Sequence, residues 1–120
     1  MSTSVVNLAE KLAQIREHWR PRVVGQVNDM HVKLAKLQGE FIWHHHEHED
    51  ELFLVLKGRL RMQLRGGEVA IGEGEFFIVP RGVEHRPVAD DEVHLLLIEP
   101  AGTCNTGQVV NERTVEAEPL

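Results

Sequence analysis

Residues 41–55 read FIWHHHEHEDELFLV, and this stretch decides the fold. Histidine fills four of the five positions in the segment HHHEH, and apolar residues lie on both sides of it. In an extended strand, side chains two apart share a face, so His44 and His46 point one way and His45 the other. Glu51 opens the next apolar run, and we expect its carboxylate beside the two imidazoles. Nitrogen and oxygen donors on adjacent strands suit a divalent transition metal.

A second cluster, GEFFIVPRGVEH, runs from Gly74 to His85. Its Pro-Arg-Gly segment predicts a turn, which fixes where the following strand begins. His85 comes three residues after that turn. A strand that returns across the same barrel would bring His85 to the metal as a fourth ligand.

From residue 23 onward, the sequence has the repeated short apolar runs that are typical of β-strands. Runs rich in Val, Ile, Leu and Phe alternate with Gly, Pro and acidic residues. Gly66-Gly67 predicts a tight hairpin, because glycine tolerates the positive φ that such turns require. Eight or nine strands with no helix between them predict an antiparallel sandwich or barrel. The predicted strands are 23–28, 30–37, 40–46, 51–57, 59–65, 68–71, 75–79, 84–88 and 93–98.

The two ends of the chain differ from this pattern. Apolar residues at helical spacing predict one amphipathic helix over about 7–19, with Asn7 and Glu10 as a capping box and Pro21 as its stop. The tail 100–120 is polar and weakly patterned, and we expect it to drape over the barrel or over a neighbouring subunit. With no repeat and no linker, the chain is predicted to form a single domain, 1–120, with the barrel over about 23–99.

Composition excludes several classes of function. The chain has 120 residues and a net charge of −6, and no run of Lys and Arg predicts a nucleic-acid partner. Cys104 is the single cysteine, so no intramolecular disulfide can form. We find no signal-peptide pattern and no apolar run long enough to span a membrane. These features predict a cytoplasmic protein without a membrane partner.

The two clusters resemble the two motifs of the cupin family. In the first motif a Gly precedes His-x-His, then a Glu follows after a short gap, and a second Gly closes the motif at Gly58. The segment from Gly74 to His85 resembles the second motif, Gly, five residues, Pro-x-Gly, two residues, His. There are two departures. Gly39 leaves four residues before the first His instead of five, which predicts a shifted turn, and Ala89 replaces the Asn that often closes the second motif.

The resemblance implies an all-β fold, an antiparallel double-stranded β-helix (the jelly-roll cupin barrel), here with a short N-terminal helix. It also implies a six-coordinate metal with two positions open to water or a ligand. Mn, Fe, Co, Ni, Cu and Zn all occupy such sites, and the donor set does not choose among them. The implied metal ligands are His44, His46, Glu51 and His85.

The chain is similar to the small "mannose-6-phosphate isomerase-like" cupins, and three functions follow as hypotheses. The first is a small metalloenzyme acting on a polar small molecule, with isomerase-like or dioxygenase-like chemistry at the open metal. The second is a non-catalytic module that binds a metal or a metabolite. The third is a structural role with a vestigial site, against which the filled ligand positions argue. No catalytic residue beyond the metal ligands is identified.

Other polar residues are weaker candidates. The alternation of side chains along the strand and the position in the loop place His45 and His48 outside the site. The run of acidic residues around Asp50 either supplies a general base or is a solvated bend. One of the arginines could clamp an anionic ligand, but a charged outer sheet face is the favoured interpretation of Arg59, Arg61 and Arg65. The roles left open are those of Arg61, Arg81 and His94; His18, His31, Arg59, Arg65 and Cys104 are interpreted as packed or surface residues.

Two further expectations concern the inside and the outside of the barrel. Phe53 and Val55 follow Glu51 on the inward face, so we expect a small, mostly apolar pocket with the metal as its main polar feature. Strands 52–56 and 95–98 are apolar on both faces. One domain of this size cannot cover all of that surface, so we expect a homodimer.

Overall fold

The protein folds into an antiparallel jelly-roll barrel, which confirms the predicted fold class. The structure, a computed structural model, describes residues 4–120. One short helix precedes the strands, and the last strand is a two-residue segment of the tail. The elements are α1 (Leu8–Ala13), β1 (Arg22–Val27), β2 (Met30–Glu40), β3 (Glu51–Lys57), β4 (Leu60–Leu64), β5 (Gly67–Ile71), β6 (Phe76–Val79), β7 (His85–Pro100) and β8 (Glu118–Pro119).

The long strand β7 organises the barrel. It pairs with β2 along most of its length, with β4 through residues 85–88, and with β3 through residues 94–98. The hydrogen-bonded order of the strands is β5-β4-β7-β2-β1-β8. Outside this order, β3 pairs with both β7 and β6. Every pairing is antiparallel except β1 with β8. The metal-ligand candidates therefore lie at the starts of β3 and β7 and in the segment before β3.

Alternate positions of the strands fill the interior. Along β3 and β7, the odd-numbered positions around Phe53 and Leu95 are buried, while the even-numbered ones between them are only partly covered. Val55 and Leu60 are completely buried. This period of two produces one continuous apolar core between the barrel walls.

Two predicted strands, 84–88 and 93–98, are one strand, so the predicted break between them is wrong. The acidic residues Asp90-Asp91-Glu92 suggested a turn, but they are exposed side chains on a strand that passes from one pairing partner to the next. Gly58 permits this passage, because a Cβ at its φ of +89° would lie 2.8 Å from the carbonyl oxygen of Glu92.

The predicted strand 40–46 is also incorrect in detail. Residues 41–46 form only an isolated bridge between His44 and His85. Pro87, opposite Phe41, accepts a hydrogen bond from the Phe41 N–H but has no N–H to return, so a regular ladder cannot continue there. At Gly39, where a shifted turn was expected, β2 instead continues with a register shift between Leu37 and Gly39, and the φ of Gly39 is +88°.

The helix is shorter than predicted, because it ends at Ala13 and not near residue 19. Its start agrees with the expected cap, since Asn7 Oδ1 accepts a hydrogen bond from the Glu10 N–H at 3.0 Å. Trp19 has a φ of +62°, donates its indole N–H to Gln38 O at 2.8 Å, and stacks on Phe41. These tertiary contacts override the helical periodicity of the sequence.

The tail lies across its own barrel. Thr106 is completely buried, and Gly107 packs so closely on the backbone of His45 that an added Cβ would overlap the His45 carbonyl oxygen. Asn105 holds the tail loop together by donating to Arg113 O and accepting from the Val115 N–H. Within residues 4–120, no helix combines the length and the apolar character needed to cross a membrane.

Candidate metal centre

Four side chains from three parts of the chain meet inside the barrel. Each offers one donor atom, and the four donor atoms all lie within 4.8 Å of one another. Donors on opposite sides of a single ion, at bond lengths of about 2.0–2.2 Å, would be about 4.0–4.4 Å apart. The cluster is thus close to the size of one coordination sphere. Its members are His44, His46, Glu51 and His85, all buried.

The backbone fixes the places of these side chains. The N–H of His44 donates to His85 O at 3.1 Å, and the N–H of His85 donates to His44 O at 2.9 Å. The Gly82 N–H donates to His46 O, so the turn before β7 is tied to the histidine segment. Glu51 is the first residue of β3 and pairs with Val79 of β6. Backbone hydrogen bonds and strand pairing therefore position both the histidine segment and the first residues of β3 and β7 around the cluster.

Two of the imidazoles are oriented by carbonyl oxygens of their own segments. Nδ1 of His44 lies 2.9 Å from Ile42 O, and Nδ1 of His85 lies 2.9 Å from Val83 O. Because a carbonyl can only accept, each Nδ1 carries the proton and each Nε2 keeps its lone pair for the cluster. A hydrogen bond of this kind is the usual support of a histidine that binds a metal.

Three of the four donor atoms that face the cluster are completely buried and have no hydrogen-bond partner. They are Nε2 of His46, Nε2 of His85 and Oε1 of Glu51. Oε1 of Glu51 lies 2.8 Å from His46 Nε2 and 3.3 Å from His85 Nε2, but the angles are not those of hydrogen bonds. Buried polar atoms without partners are costly, and a metal ion between them would satisfy all three. The residues present therefore fit a metal.

Electrostatics keeps His44 and Glu51 in their metal-binding protonation states. Burial, helped by the neighbouring His85, lowers the pKa of His44 from 6.5 to about 4, so this imidazole is neutral at pH 7. Burial alone would raise the pKa of Glu51, but the close approach of the Glu99, His46 and His85 side chains lowers it well below its usual range. A neutral imidazole and an ionised carboxylate are the forms that bind metals.

A pocket of about 50 Å³ opens beside the cluster, and both His44 and Glu51 line it. The expected apolar character is found, since aromatic and aliphatic side chains form most of the wall. They include Trp19, Leu37, Phe41, Phe53, Leu95 and Leu97.

Sequence reasoning missed a buried ion pair at this pocket. Nζ of Lys33 lies 2.9 Å from Oε1 of Glu99, and their side chains are only 4% and 3% exposed. Glu99 lines the pocket together with Glu51, and Glu99 Oε2 has no hydrogen-bond partner. Burial and the adjacent Glu51 raise the pKa of Glu99 well above its usual range, against the effect of Lys33. The period of two in β7 places Glu99 in line with Leu95 and Leu97, and it could have predicted that Glu99 faces inward, although not that Lys33 is its partner.

The other predicted candidates lie outside the centre. Asp50 accepts hydrogen bonds from the backbone and guanidinium of Arg81, which lower the pKa of Asp50 and fix the turn before His85. Arg61 pairs with Asp90 and Glu68 on the surface. His94 pairs with Glu92 on the outer face of β7, opposite the pocket.

The remaining histidines and the cysteine also lie apart from the cluster. His45 faces away from it and lies 3.6 Å from Glu47, while His48 is exposed. His18 pairs with Glu92 at 2.8 Å. Cys104 is partly buried in the tail, with its Sγ 3.6 Å from Thr106 Oγ1.

Comparison with known proteins identifies the class to which this fold and centre belong. The profile of the Cupin domain family, Cupin_2, matches residues 30–99. This chain belongs to the cupin family. It is similar to the crystal structure of a cupin-2 domain containing protein from Shewanella frigidimarina NCIMB 400, at 41% identity and a TM-score of 0.79, over 80% of this chain and 94% of that chain.

Two further relatives extend the comparison. The uncharacterized protein YdbB of Bacillus subtilis (strain 168) is 36% identical over 81 residues, which are 67% of this chain and 72% of YdbB. The hydroquinone 1,2-dioxygenase PnpCD, solved in complex with Cd²⁺ and 4-hydroxybenzonitrile, is 22% identical with a TM-score of 0.68, over 80% of this chain and 72% of that chain. At this identity the likeness to PnpCD shows the shared fold alone.

Proposed function

We propose that this cupin is a small metalloenzyme that binds one divalent transition metal and acts on a small molecule beside it. The observation that carries the proposal is the convergence of buried, unpartnered donor atoms next to an open pocket. A purely structural metal site would be closed, whereas a site that reacts keeps positions free for water or substrate. The proposed ligands are His44, His46, Glu51 and His85.

The metal would polarise a carbonyl or hydroxyl oxygen, or exchange electrons with oxygen if it is redox-active. The chain itself supplies orientation and shielding. The carbonyl groups of Ile42 and Val83 hold the imidazoles of His44 and His85 in place. The apolar wall around Phe53 keeps bulk water from the reacting groups, which strengthens every electrostatic interaction inside. Isomerase-like and dioxygenase-like reactions are both compatible with these contributions.

We also propose that the protein is a cytoplasmic homodimer. On the outer face, Leu52 pairs with Ile78 and Leu54 pairs with Phe76, so four apolar side chains adjoin one another. Phe76 and Ile78 are 62% and 47% exposed, and β6 pairs only with β3 among the described residues. α1 covers a different part of the barrel, around Leu34. A second copy would bury the uncovered patch.

The proposal is tested by loading the protein with Co²⁺ and recording its d–d absorption during titration. His85→Ala removes a completely buried donor and should weaken binding by at least about 100-fold. His45→Ala is the matched control, since this neighbouring histidine faces away from the cluster and should leave the affinity unchanged. Equal affinity in the two variants would show that the ligand set is incorrect.

The bound metal then selects the assay for activity. Iron directs the search to oxygen consumption with small organic substrates, and zinc, manganese or nickel to isomerase and hydrolase substrates. Stable metal binding without turnover in either group would favour the alternative function, a non-catalytic metal-binding or metabolite-binding module.

A further inference from the structure

We propose that the tail loop, residues 103–115, is part of the metal centre: Gly107 positions the histidine segment 44–46, and docking of the loop and binding of the metal favour each other. This inference rests on the proposed function in taking the buried cluster as a metal centre. It goes further by assigning a positioning role to a part of the chain that contributes none of the proposed ligands.

The histidine segment depends on support from outside itself. Residues 41–46 belong to no strand of the sheet and make a single isolated bridge, His44 with His85. A segment with so few ladder hydrogen bonds is held less firmly than a strand inside a sheet. The ligands of a metal, however, must be held to within about 0.5 Å of the productive geometry. Contacts from other parts of the chain therefore determine how well His44 and His46 are placed.

The tail loop supplies the contact on one side of this segment. The carbonyl groups of His44 and His46 accept hydrogen bonds from β7 and from the turn before it. Neighbouring carbonyl groups of an extended chain point in opposite directions, which leaves the His45 carbonyl on the other side. Gly107 lies against this carbonyl, since a Cβ added to Gly107 would overlap its oxygen and lie 3.4 Å from the His45 nitrogen. The segment is thus enclosed between β7 and the tail loop.

Hydrogen bonds within the loop hold Gly107 in this place. Thr106 is completely buried, and its Oγ1 lies 2.7 Å from Oγ1 of Thr114. The side chain of Asn105 donates to one backbone carbonyl near the end of the loop, at 2.7 Å, and accepts from one backbone N–H there, at 3.0 Å. These bonds join the two ends of the loop, so Gly107 is presented by a closed structure.

The contact requires glycine at position 107. Its φ is +61°, and the His45 carbonyl already occupies the space of a Cβ. Any other residue type would push the loop away from the segment. The same loop also reaches the pocket, where Asn105 lines the wall together with His44. Release of the loop would therefore free the His45 backbone and open the pocket.

Thermodynamic linkage makes the coupling measurable from both sides. If the docked loop holds the histidines in the geometry that binds a metal, the metal binds the docked form more tightly than the open form. Metal binding then favours docking by the same factor. The affinity for the metal and the opening of the loop are therefore two independent measurements of one coupling.

Gly107→Ala tests the positioning role, with Co²⁺ as the probe and its d–d absorption as the readout. The variant should bind Co²⁺ at least about tenfold more weakly than the wild type, the loss typical of a change beside metal ligands. The d–d bands should also change, because they report the arrangement of the donors and not the stability of the fold. The matched control is Gly102→Ala, with a φ of +86° and no atom within 4 Å of the added Cβ. It should bind Co²⁺ as the wild type does.

A second pair of variants is independent of the glycine and decides the question if Gly107→Ala does not fold. Thr114→Val replaces the hydroxyl by a methyl group of similar size and removes the bond to Thr106. Thr114→Ser keeps the hydroxyl. Thr114→Val should weaken Co²⁺ binding and change the d–d bands, and Thr114→Ser should restore both. Circular dichroism checks that each variant folds.

Trypsin measures the opening of the loop in the wild-type protein. Arg113 is the only lysine or arginine between residues 103 and 115, so cleavage after it reports this loop. Saturating Co²⁺ should slow this cleavage by at least the factor by which Gly107→Ala weakens Co²⁺ binding. His44→Ala/His46→Ala is the control for direct effects of Co²⁺ on trypsin, and Co²⁺ should not slow its cleavage.

The outcomes separate this inference from the proposed function. A wild-type protein that binds no Co²⁺ contradicts both. If Co²⁺ binding is normal and is lost in His85→Ala, the metal centre stands, and the tail variants then test the loop alone. The inference is overturned if Gly107→Ala and Thr114→Val bind Co²⁺ with the affinity and spectrum of their controls. It is also overturned if Co²⁺ leaves the cleavage after Arg113 unchanged in the wild type.

Discussion

Oε1 of Glu51 lies 2.8 Å from Nε2 of His46, yet the two atoms are not hydrogen-bonded to each other. Both are buried, and His85 Nε2 approaches the same oxygen at 3.3 Å. Atoms that approach so closely without a mutual hydrogen bond are arranged around a common point. This relationship is the basis for placing a metal ion among them.

The metal-free protein should lose stability between about pH 6.5 and pH 4. The pKa of His44 is lowered to about 4 in the folded protein from 6.5, so the unfolded chain binds more protons in this window. Stability then rises with pH, and the loss on acidification from this residue is about 3 kcal/mol. Urea unfolding of chelated protein at a series of pH values measures it. His44→Asn should flatten the profile, and His45→Asn should not; identical profiles would contradict the assignment.

Leu12→Ala should destabilise the protein by about 2–3 kcal/mol, because it opens a cavity between α1 and the barrel. Leu12 is 8% exposed and packs with Ile15 and the completely buried Leu34. Gln14→Ala, on the exposed side of the same segment, should change the free energy of unfolding by less than about 0.5 kcal/mol. Chemical denaturation measures both variants. Similar values for the two would mean that α1 does not pack on the barrel as described.

Phe76→Glu should convert a dimer to a monomer. The side chain is 62% exposed and adjoins Leu54 on the outer face, so a charge there would be desolvated in the interface without a partner. Val110→Glu changes an apolar side chain that is 82% exposed in the tail and should leave the dimer intact. Analytical ultracentrifugation at micromolar concentration provides the masses. A monomeric wild-type protein would refute the proposed dimer.

Gly107→Ala should release the tail from the barrel. Its φ is +61°, and an added Cβ would overlap the carbonyl oxygen of His45. Gly102→Ala is the control, because its φ is +86° but no atom lies within 4 Å of the added Cβ. Both substitutions carry the cost of a positive φ, and only the first also carries a clash. Limited proteolysis should therefore cut residues 103–115 faster in Gly107→Ala, and equal rates would count against this packing.

Much of the fold and the centre could be predicted from local patterns in the sequence. The alternation of His44 and His46, the turn before His85 and the Gly-Gly hairpin each depend on neighbouring residues, and the structure shows all three. The grouping of the four donors is as predicted, while their role as metal ligands stays a proposal.

The predictions that failed depend on contacts between distant residues. The helix was extended to Trp19 because its periodicity continues, but stacking on Phe41 takes that residue out of the helix. Lys33 and Glu99 are 66 residues apart, and only the pairing of β2 with β7 brings these two charges together. A sequence pattern read along one strand does not contain this information.

The most direct test of the central claim is elemental analysis of untagged protein purified without chelators, beside the His44→Ala/His46→Ala variant. We predict close to one transition-metal ion per chain in the wild-type protein and almost none in the variant. An absence of metal from the wild-type protein, even after reconstitution, or equal metal in both proteins, would contradict the metal centre described here.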